Sequence, residues 1–193
     1  MTGQWLTPAD GIRWFYDSGA LSLDFAHTGA LDTTAGTEQL HAPADLGGWL
    51  AERVDRLDQT SSERELADAL LLRDAIERVA RGFAAGRAPA ADDIDTINLY
   101  AATPDIPPTL AGGRRQAGAG RPRVGQALSS ISRDAVGVFT REGEVSRIRQ
   151  CAADDCTLVF VDESRTGSRR WCSMQRCGNR AKVRAHRTRV RAN

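Results

Sequence analysis

The chain has 193 residues, of which 41% are hydrophobic, and its formal net charge is +1. This length suffices for a buried core and allows one ordinary domain plus one small one. No apolar run approaches the roughly 20 residues of a membrane span, and the N-terminus lacks a signal-peptide layout. We therefore expect a cytoplasmic protein and not a membrane or secreted protein.

The N-terminal part of the chain predicts a small sheet and four helices. Leu21, Leu23 and Phe25 alternate with polar residues, which is typical of a half-buried strand. Ser62 followed by Glu65 predicts a capped helix N-terminus, and apolar residues at helical spacing predict the other helices. In chain order we predict a strand over 18–28 and helices over 44–54, 62–85, 90–101 and 124–143.

The predicted domain boundary lies shortly before the cysteines. Residues 104–122 are rich in Pro and Gly and predict a loop inside the first domain. Helical patterning stops at about 141–150, where the cysteine-containing segment begins. We therefore predict an α+β protein with a mostly helical domain over 1–143 and a small domain over 147–193.

All four cysteines lie in this small domain and form two close pairs. Cys151 and Cys156 are separated by four residues, as are Cys172 and Cys177, and fifteen residues lie between the pairs. Disulfides are rare in the cytoplasm, and two such pairs supply the four thiolates of a tetrahedral zinc site. Because four thiolates leave no open coordination position, we expect one structural zinc ion, Zn²⁺, that stabilises the fold. An iron–sulfur cluster and free or redox-active thiols are the alternatives.

The segment between the cysteine pairs predicts a β-hairpin. Residues 157–162 (TLVFVD) are typical of a strand, 166–168 of a turn, and 169–171 of a returning strand. We expect Trp171 either to cover the small core or to stack on a base, and Gly178 to allow a close approach of the backbone beside the zinc ion. The hairpin would carry the metal ligands at its ends.

Charge is distributed unequally along the chain. Residues 164–193 contain ten basic and no acidic residues, which leaves 16 basic and 25 acidic residues, or a net −9, for the remainder. A basic tail on an acidic body is typical of proteins that bind polyanions, although a solvated tail without function is the alternative.

A helix that begins near the second cysteine pair would carry an arginine stripe. Five arginines spaced four, four, three and four residues apart fall within an arc of about 80°. We expect this stripe to face outward and contact DNA in the major groove, and Val183 and Val190 to pack on the hairpin. Asn179 either contacts adenine or hydrogen-bonds the backbone near the zinc knuckle. The candidate nucleic-acid residues are Arg176, Arg180, Arg184, Arg187, Arg191 and Asn179.

Two segments resemble known families. Residues 169–180 (RRWCSMQRCGNR), with RQCAADDCTLVFVDESR before them, resemble the CGNR zinc finger, named for the letters at 177–180. Residues 23–28 (LDFAHT) resemble a strand end of the ABATE domain, with His27 where that family carries Asn. The resemblance implies a bacterial transcription regulator with a treble-clef-like finger for DNA and an N-terminal domain that senses a ligand.

The first domain offers a candidate ligand pocket but no recognisable catalytic pattern. We expect Asp24, His27 and Trp49 to line a pocket for a small-molecule effector. Because no nucleophile–base pair is evident, we expect a binding protein and not an enzyme. One short finger covers few base pairs, so we also expect a homodimer. The alternative function is a zinc-stabilised adaptor that docks on an acidic protein or RNA.

Overall fold

The structure is a computed structural model that describes residues 2–7, 11–29, 38–108, 120–141, 143 and 145–192, without the side chains of 191 and 192. Its fold is α+β, as predicted. The strands are β1 (Gln4–Leu6), β2 (Trp14–Tyr16), β3 (Ile148–Gln150) and β4 (Val159–Val161). The helices are α1 (Leu21–Ala26), α2 (Pro43–Ala51), α3 (Glu63–Ala84), α4 (Ala91–Ala101), α5 (Val124–Thr140) and α6 (Asn179–Ala192), with a 3₁₀ turn at Val145–Arg147 and a π-helical turn at Met174–Gly178.

Helices α1 to α5 form the body around one hydrophobic core. α3 begins where the sequence predicts, because the Ser62 hydroxyl accepts a hydrogen bond from the Glu65 N–H at 3.2 Å and the Glu65 carboxylate accepts one from the Ser62 N–H. α4 and α5 pack on each other, and both pack on α3. Leu72, Ile76 and Ile131 are fully buried between these helices. The predicted helices over 44–54, 62–85, 90–101 and 124–143 are thus confirmed, with α2 and α5 ending three residues early.

The strand predicted over 18–28 is wrong, since these residues contain helix α1. The polar residues that suggested a solvent-facing side, Ser22 and Asp24, are fully buried. The Ser22 N–H donates to Asp134 at 2.8 Å, and Asp24 accepts from the Ser18 hydroxyl at 2.6 Å. α1 is therefore buried on almost all sides, and the alternation of Leu23 and Phe25 with polar residues does not report a half-buried strand. Most of the predicted loop over 104–122 lies outside the described residues.

A hairpin of β1 and β2 precedes the helical body. The two strands are antiparallel, with Gln4 opposite Tyr16 and Leu6 opposite Trp14. Leu6, Trp14 and Tyr16 are buried, whereas Trp5 and Phe15 on the other face are exposed. This period of two is that of a half-buried sheet, and the sequence analysis did not detect it.

The second hairpin pairs β4 with β3, so the predicted pairing of β4 with 169–171 is wrong. Ile148 lies opposite Val161 and Gln150 opposite Val159, and the Cys151 N–H continues the pairing by donating to the Leu158 carbonyl at 2.9 Å. Residues 169–171 are instead held by single hydrogen bonds, such as the one from the Arg169 N–H to Asp162 at 2.9 Å.

Strand β4 is shared by two hydrophobic cores. Val159 and Val161 belong to the core of the helical body. Leu158 and Phe160 point the other way, into a second core that includes the four cysteines and the β1–β2 hairpin. The described helices include none that combines the length and apolar character required to cross a membrane.

Candidate zinc site and nucleic-acid interface

The fold brings the two cysteine pairs together. Cys151 directly follows β3 and Cys156 lies shortly before β4, while Cys177 lies in the π-helical turn that leads into α6. The four Sγ atoms lie within 4.8 Å of one another and all four cysteines are buried. The Sγ atom of Cys172 lies 3.7 Å from that of Cys156 and 3.4 Å from that of Cys177.

These four sulfur atoms fit a tetrahedral zinc ion. Zn–S bonds of about 2.3 Å in a tetrahedron separate sulfur atoms by about 3.8 Å, close to the separations found here. The Cys172 N–H donates to the Cys151 sulfur at 3.4 Å, and Arg180 Nη2 donates to the Cys177 sulfur at 3.2 Å. Such donors stabilise thiolates. When bound, zinc would cross-link the β3–β4 hairpin to the start of α6.

The thiols interact strongly even before a metal is considered. Hydrogen bonds from the other three cysteines lower the pKa of Cys177, and Arg180 lowers it further. The hydrogen bonds of the cluster, with burial, raise the pKa of Cys172. Because zinc binds thiolates, binding of the metal would release any protons that the thiols carry.

The cysteine cluster packs against the N-terminal hairpin. Leu6, Trp14 and Tyr16 lie in the same core as the four cysteines, and Trp171 packs at its edge, partly buried. Gly178 is also closely surrounded, because a Cβ at this position would lie 2.8 Å from the Met174 sulfur and 3.3 Å from the Trp171 ring. The groups that approach Gly178 closely are thus the side chains of Met174 and Trp171.

Sequence comparisons agree with this geometry. Residues 147–190, which contain all four cysteines, match the model of the CGNR zinc finger. Residues 19–142 match the model of the ABATE family, described as "Putative stress-induced transcription regulator". The chain belongs to the ABATE family. No curated protein matches the chain. The β1–β2 hairpin precedes both matched segments and contacts both, because Tyr16 packs with the cysteines of the finger and against His27 of the ABATE segment.

In the ABATE domain, His27 connects α1 to strand β4. Its Nε2 atom lies 2.8 Å from the Val159 carbonyl oxygen, which also accepts a hydrogen bond from the Tyr16 hydroxyl. The Tyr16 ring packs edge-on against the imidazole, with centroids 5.3 Å apart. Burial lowers the pKa of His27 to about 4, so the imidazole is neutral at physiological pH.

The three candidate pocket residues of the ABATE domain have different environments. Asp24 is buried, accepts hydrogen bonds from Ser18 and Gly3, and has a pKa raised by burial. His27 is buried in the contacts described above. Trp49 lines an open groove of about 550 Å³, where the Arg53 guanidinium stacks 3.7 Å from the centre of its ring. Of the three residues, Trp49 is therefore the one that borders this groove.

Helix α6 is oriented differently from the sequence expectation. Val183 and Val190 are 49% and 63% exposed, so the predicted packing of these residues on the hairpin is wrong. The arginine stripe instead faces the first zinc knuckle, which is the segment from Cys151 to Cys156. Arg180 and Arg184 lie 3.1 and 2.8 Å from Asp155 Oδ2, because this knuckle carries two acidic residues between its cysteines.

The other candidate nucleic-acid residues have separate environments. The Arg176 guanidinium lies 5.8 Å from the Trp14 ring centre. Asn179 is exposed, and its side-chain amide donates to the Gln175 carbonyl at 3.2 Å, which is the local role that the sequence left open. Arg187 is exposed, and the Arg191 side chain lies outside the described residues.

A second basic face was missed by the sequence analysis. Lys182, His186 and Arg189 follow one another at intervals of four and three residues, and all are exposed. At 100° per residue they lie roughly opposite Arg180 and Arg184. Their spacing is visible in the sequence, but the arginine stripe contains more basic residues and was therefore chosen. The acidic partner of that stripe, Asp155, is distant along the chain, so the sequence did not show that the stripe contacts the protein itself.

Proposed function

We propose that the protein is a transcription regulator that binds DNA through helix α6. The observation that carries the proposal is that α6 extends away from the cysteine cluster with every residue from 182 to 190 exposed. Five of these nine residues are basic or histidine, and none is acidic. The descriptions of the matched ABATE and CGNR families support a regulatory role.

The charge and size of α6 suit double-stranded DNA. A helix about 10–12 Å wide fits the major groove, which is about 12 Å wide. Residues 1–163 carry a net −9, so the phosphate backbone is attracted to the finger and repelled by the body. Zinc would supply a structural cross-link that holds the base of α6, and the proposed action in the cytoplasm is binding, not catalysis.

The test is fluorescence anisotropy of the zinc-loaded full chain with duplex DNA across a salt series. The test variant is Lys182→Gln with Arg189→Gln, and the matched control is Arg87→Gln with Arg121→Gln, two exposed arginines of the body. Each phosphate contact contributes about −0.9 to the log–log salt slope, so the test variant should reduce the slope by about 2 and the control should leave it unchanged.

Failure of the wild-type chain to bind duplex DNA at low salt would contradict the proposal. Competition between duplex DNA and single-stranded RNA then tests the alternative, an adaptor that docks on RNA or an acidic protein. Preference for the duplex supports the regulator.

The proposal includes an effector that binds the ABATE domain in the groove beside Trp49. The groove is bordered by Trp5 and Phe15, which are exposed, and by Arg53. Gly48 also borders it, and a Cβ at Gly48 would meet no atom within 4 Å. Gly48→Leu should therefore place an apolar side chain at the border of the groove. Dialysis against a bacterial metabolite extract, followed by mass spectrometry, should show a compound retained by the wild type and lost in this variant.

Homodimerisation completes the proposal. One short finger contacts few base pairs, so two copies on neighbouring half-sites would be needed for useful specificity. Sedimentation at micromolar concentration, with and without DNA, tests this directly. A monomer under both conditions would contradict it.

A further inference from the structure

Arg180 contacts both the cysteine cluster and the acidic knuckle. Its Nη2 atom donates to the Cys177 sulfur at 3.2 Å, and its Nη1 atom lies 3.1 Å from Asp155 Oδ2. The same carboxylate oxygen accepts from Arg184 Nη2 at 2.8 Å. Asp155 lies between Cys151 and Cys156, so these contacts join the first zinc knuckle to the first two turns of α6. We call Asp155, Arg180 and Arg184 the knuckle clamp.

The chemistry of the clamp fits a second layer around a zinc ion. A guanidinium presents several N–H donors in a fixed plane and can bind a thiolate and a carboxylate at once. Groups that hydrogen-bond metal ligands orient them, and their loss typically weakens metal binding by about 10- to 100-fold. Arg180 and Asp155 are only partly exposed, at 37% and 34%, which limits screening by solvent, whereas Arg184 is more exposed, at 50%.

The clamp also provides contacts that α6 otherwise lacks. No residue of α6 from 179 to 190 is buried, and Val183 and Val190 are exposed. The helix therefore has little apolar packing to fix its direction relative to the cysteine cluster. Ion pairs at its first two turns connect it to the segment between Cys151 and Cys156.

We propose that Arg180 is a positioning residue that holds α6 at a fixed orientation to the zinc site through Cys177 and Asp155. Arg184 reinforces this contact through Asp155. Both arginines are then used within the protein, and the DNA-contacting face is the opposite one, with Lys182 and Arg189. This last step rests on the proposed DNA-binding function, whereas the positioning role does not.

The first experiment measures zinc and not DNA. The zinc-loaded full chain is mixed with an excess of a colorimetric chelator, and the rate of zinc release is recorded for the wild type, Arg180→Gln and Asp155→Asn. Both variants should release zinc about 10-fold faster. The control is Lys182→Gln, which removes one positive charge, as Arg180→Gln does, but on the opposite face of α6. It should release zinc at the wild-type rate. Hydrogen exchange of α6 amides should accelerate in the first two variants alone.

The second experiment uses the sign of an effect on DNA binding. Asp155→Asn removes a negative charge near the proposed DNA site, which by itself would strengthen binding to a polyanion. If Arg180 and Arg184 contacted phosphates, this variant would also free them and bind DNA more tightly. If the clamp positions α6, Asp155→Asn instead removes the contact that orients the helix. We then expect affinity for duplex DNA to fall several-fold. Asp155→Glu, which keeps the carboxylate, should recover most of the loss.

If Arg180→Gln and Asp155→Asn both release zinc at the wild-type rate, the positioning role is overturned. Tighter DNA binding by Asp155→Asn would overturn the assignment of the DNA-contacting face. If Arg180→Gln does not fold, Arg180→Lys gives the same comparison, because its single ammonium cannot reproduce the planar donor set. Faster zinc release by the clamp variants together with no DNA binding by the wild type would support the clamp and reject the proposed DNA-binding function.

Discussion

Acid should destabilise the protein through His27, the residue that connects α1 to β4. The imidazole is fully enclosed, contacts the Val159 peptide and the Tyr16 ring, and is further disfavoured as a cation by the positive charge of Arg81. Burial lowers its pKa from 6.5 to about 4. Protonation of the imidazole is therefore less favourable in the folded chain than in the unfolded chain.

The sign and size of the effect follow from proton linkage. The unfolded chain binds the proton more tightly than the folded chain, so the contribution to stability is complete above about pH 6.5 and is lost as the pH falls toward about 4. At about 1.4 kcal/mol for each pKa unit, the full loss is about 3 kcal/mol, and about 1.3 kcal/mol is lost between pH 7.5 and 5.5.

The assay compares urea unfolding of the wild type and His27→Gln at several pH values. The glutamine amide retains an N–H donor near Val159 but does not titrate. Protonation of the zinc-site thiolates affects both proteins equally, so it cancels in the difference. The free energy of unfolding of the wild type should fall by about 1.3 kcal/mol more than that of His27→Gln over this pH range. Parallel pH profiles would refute the reasoning.

Three further predictions concern zinc and local structure. Chelation of zinc should expose Trp14, which is 6% exposed, and shift its fluorescence to the red, whereas unchanged emission would show that the second core does not depend on the metal. Ser62→Ala removes the N-cap of α3 and should cost about 1 kcal/mol in chemical unfolding; Glu63→Ala, one residue away, is the control. Gly47→Ala places a Cβ against the Gln59 carbonyl oxygen, and thermal unfolding should report a loss of about 1–3 kcal/mol.

The sequence predicted the elements whose signals are local. The Ser62–Glu65 capping pair and the apolar spacing in α3 and α5 identified those helices, because a helix forms contacts within a few residues along the chain. The cysteine spacing likewise identified the four sulfur atoms that the fold brings together. Helix α1 was misread because its polar residues are buried, and because its backbone contacts residues such as Asp134, more than 100 positions away in the sequence.

The orientation of the arginine helix depended on a contact distant in sequence. Arg184 and Asp155 are 29 residues apart, and the spacing within α6 alone does not reveal which of its faces meets the knuckle. The two acidic residues between Cys151 and Cys156 were a usable signal, since a buried or half-buried carboxylate near a cationic helix attracts it. The N-terminal hairpin was missed for a different reason, because each of its strands has only three residues.

The position of β4 between the two cores has a practical consequence for dissecting the protein. A fragment that begins at the finger would leave Val159 and Val161 uncovered, and it would lack Tyr16 and Trp14 beside the cysteines. A fragment that ends with α5 would lose the strand that covers His27. A one-residue insertion in β4 would exchange the side chains of both cores at the same time. The two family segments should therefore be expressed, mutated and recombined as a single folding unit that includes residues 4–16.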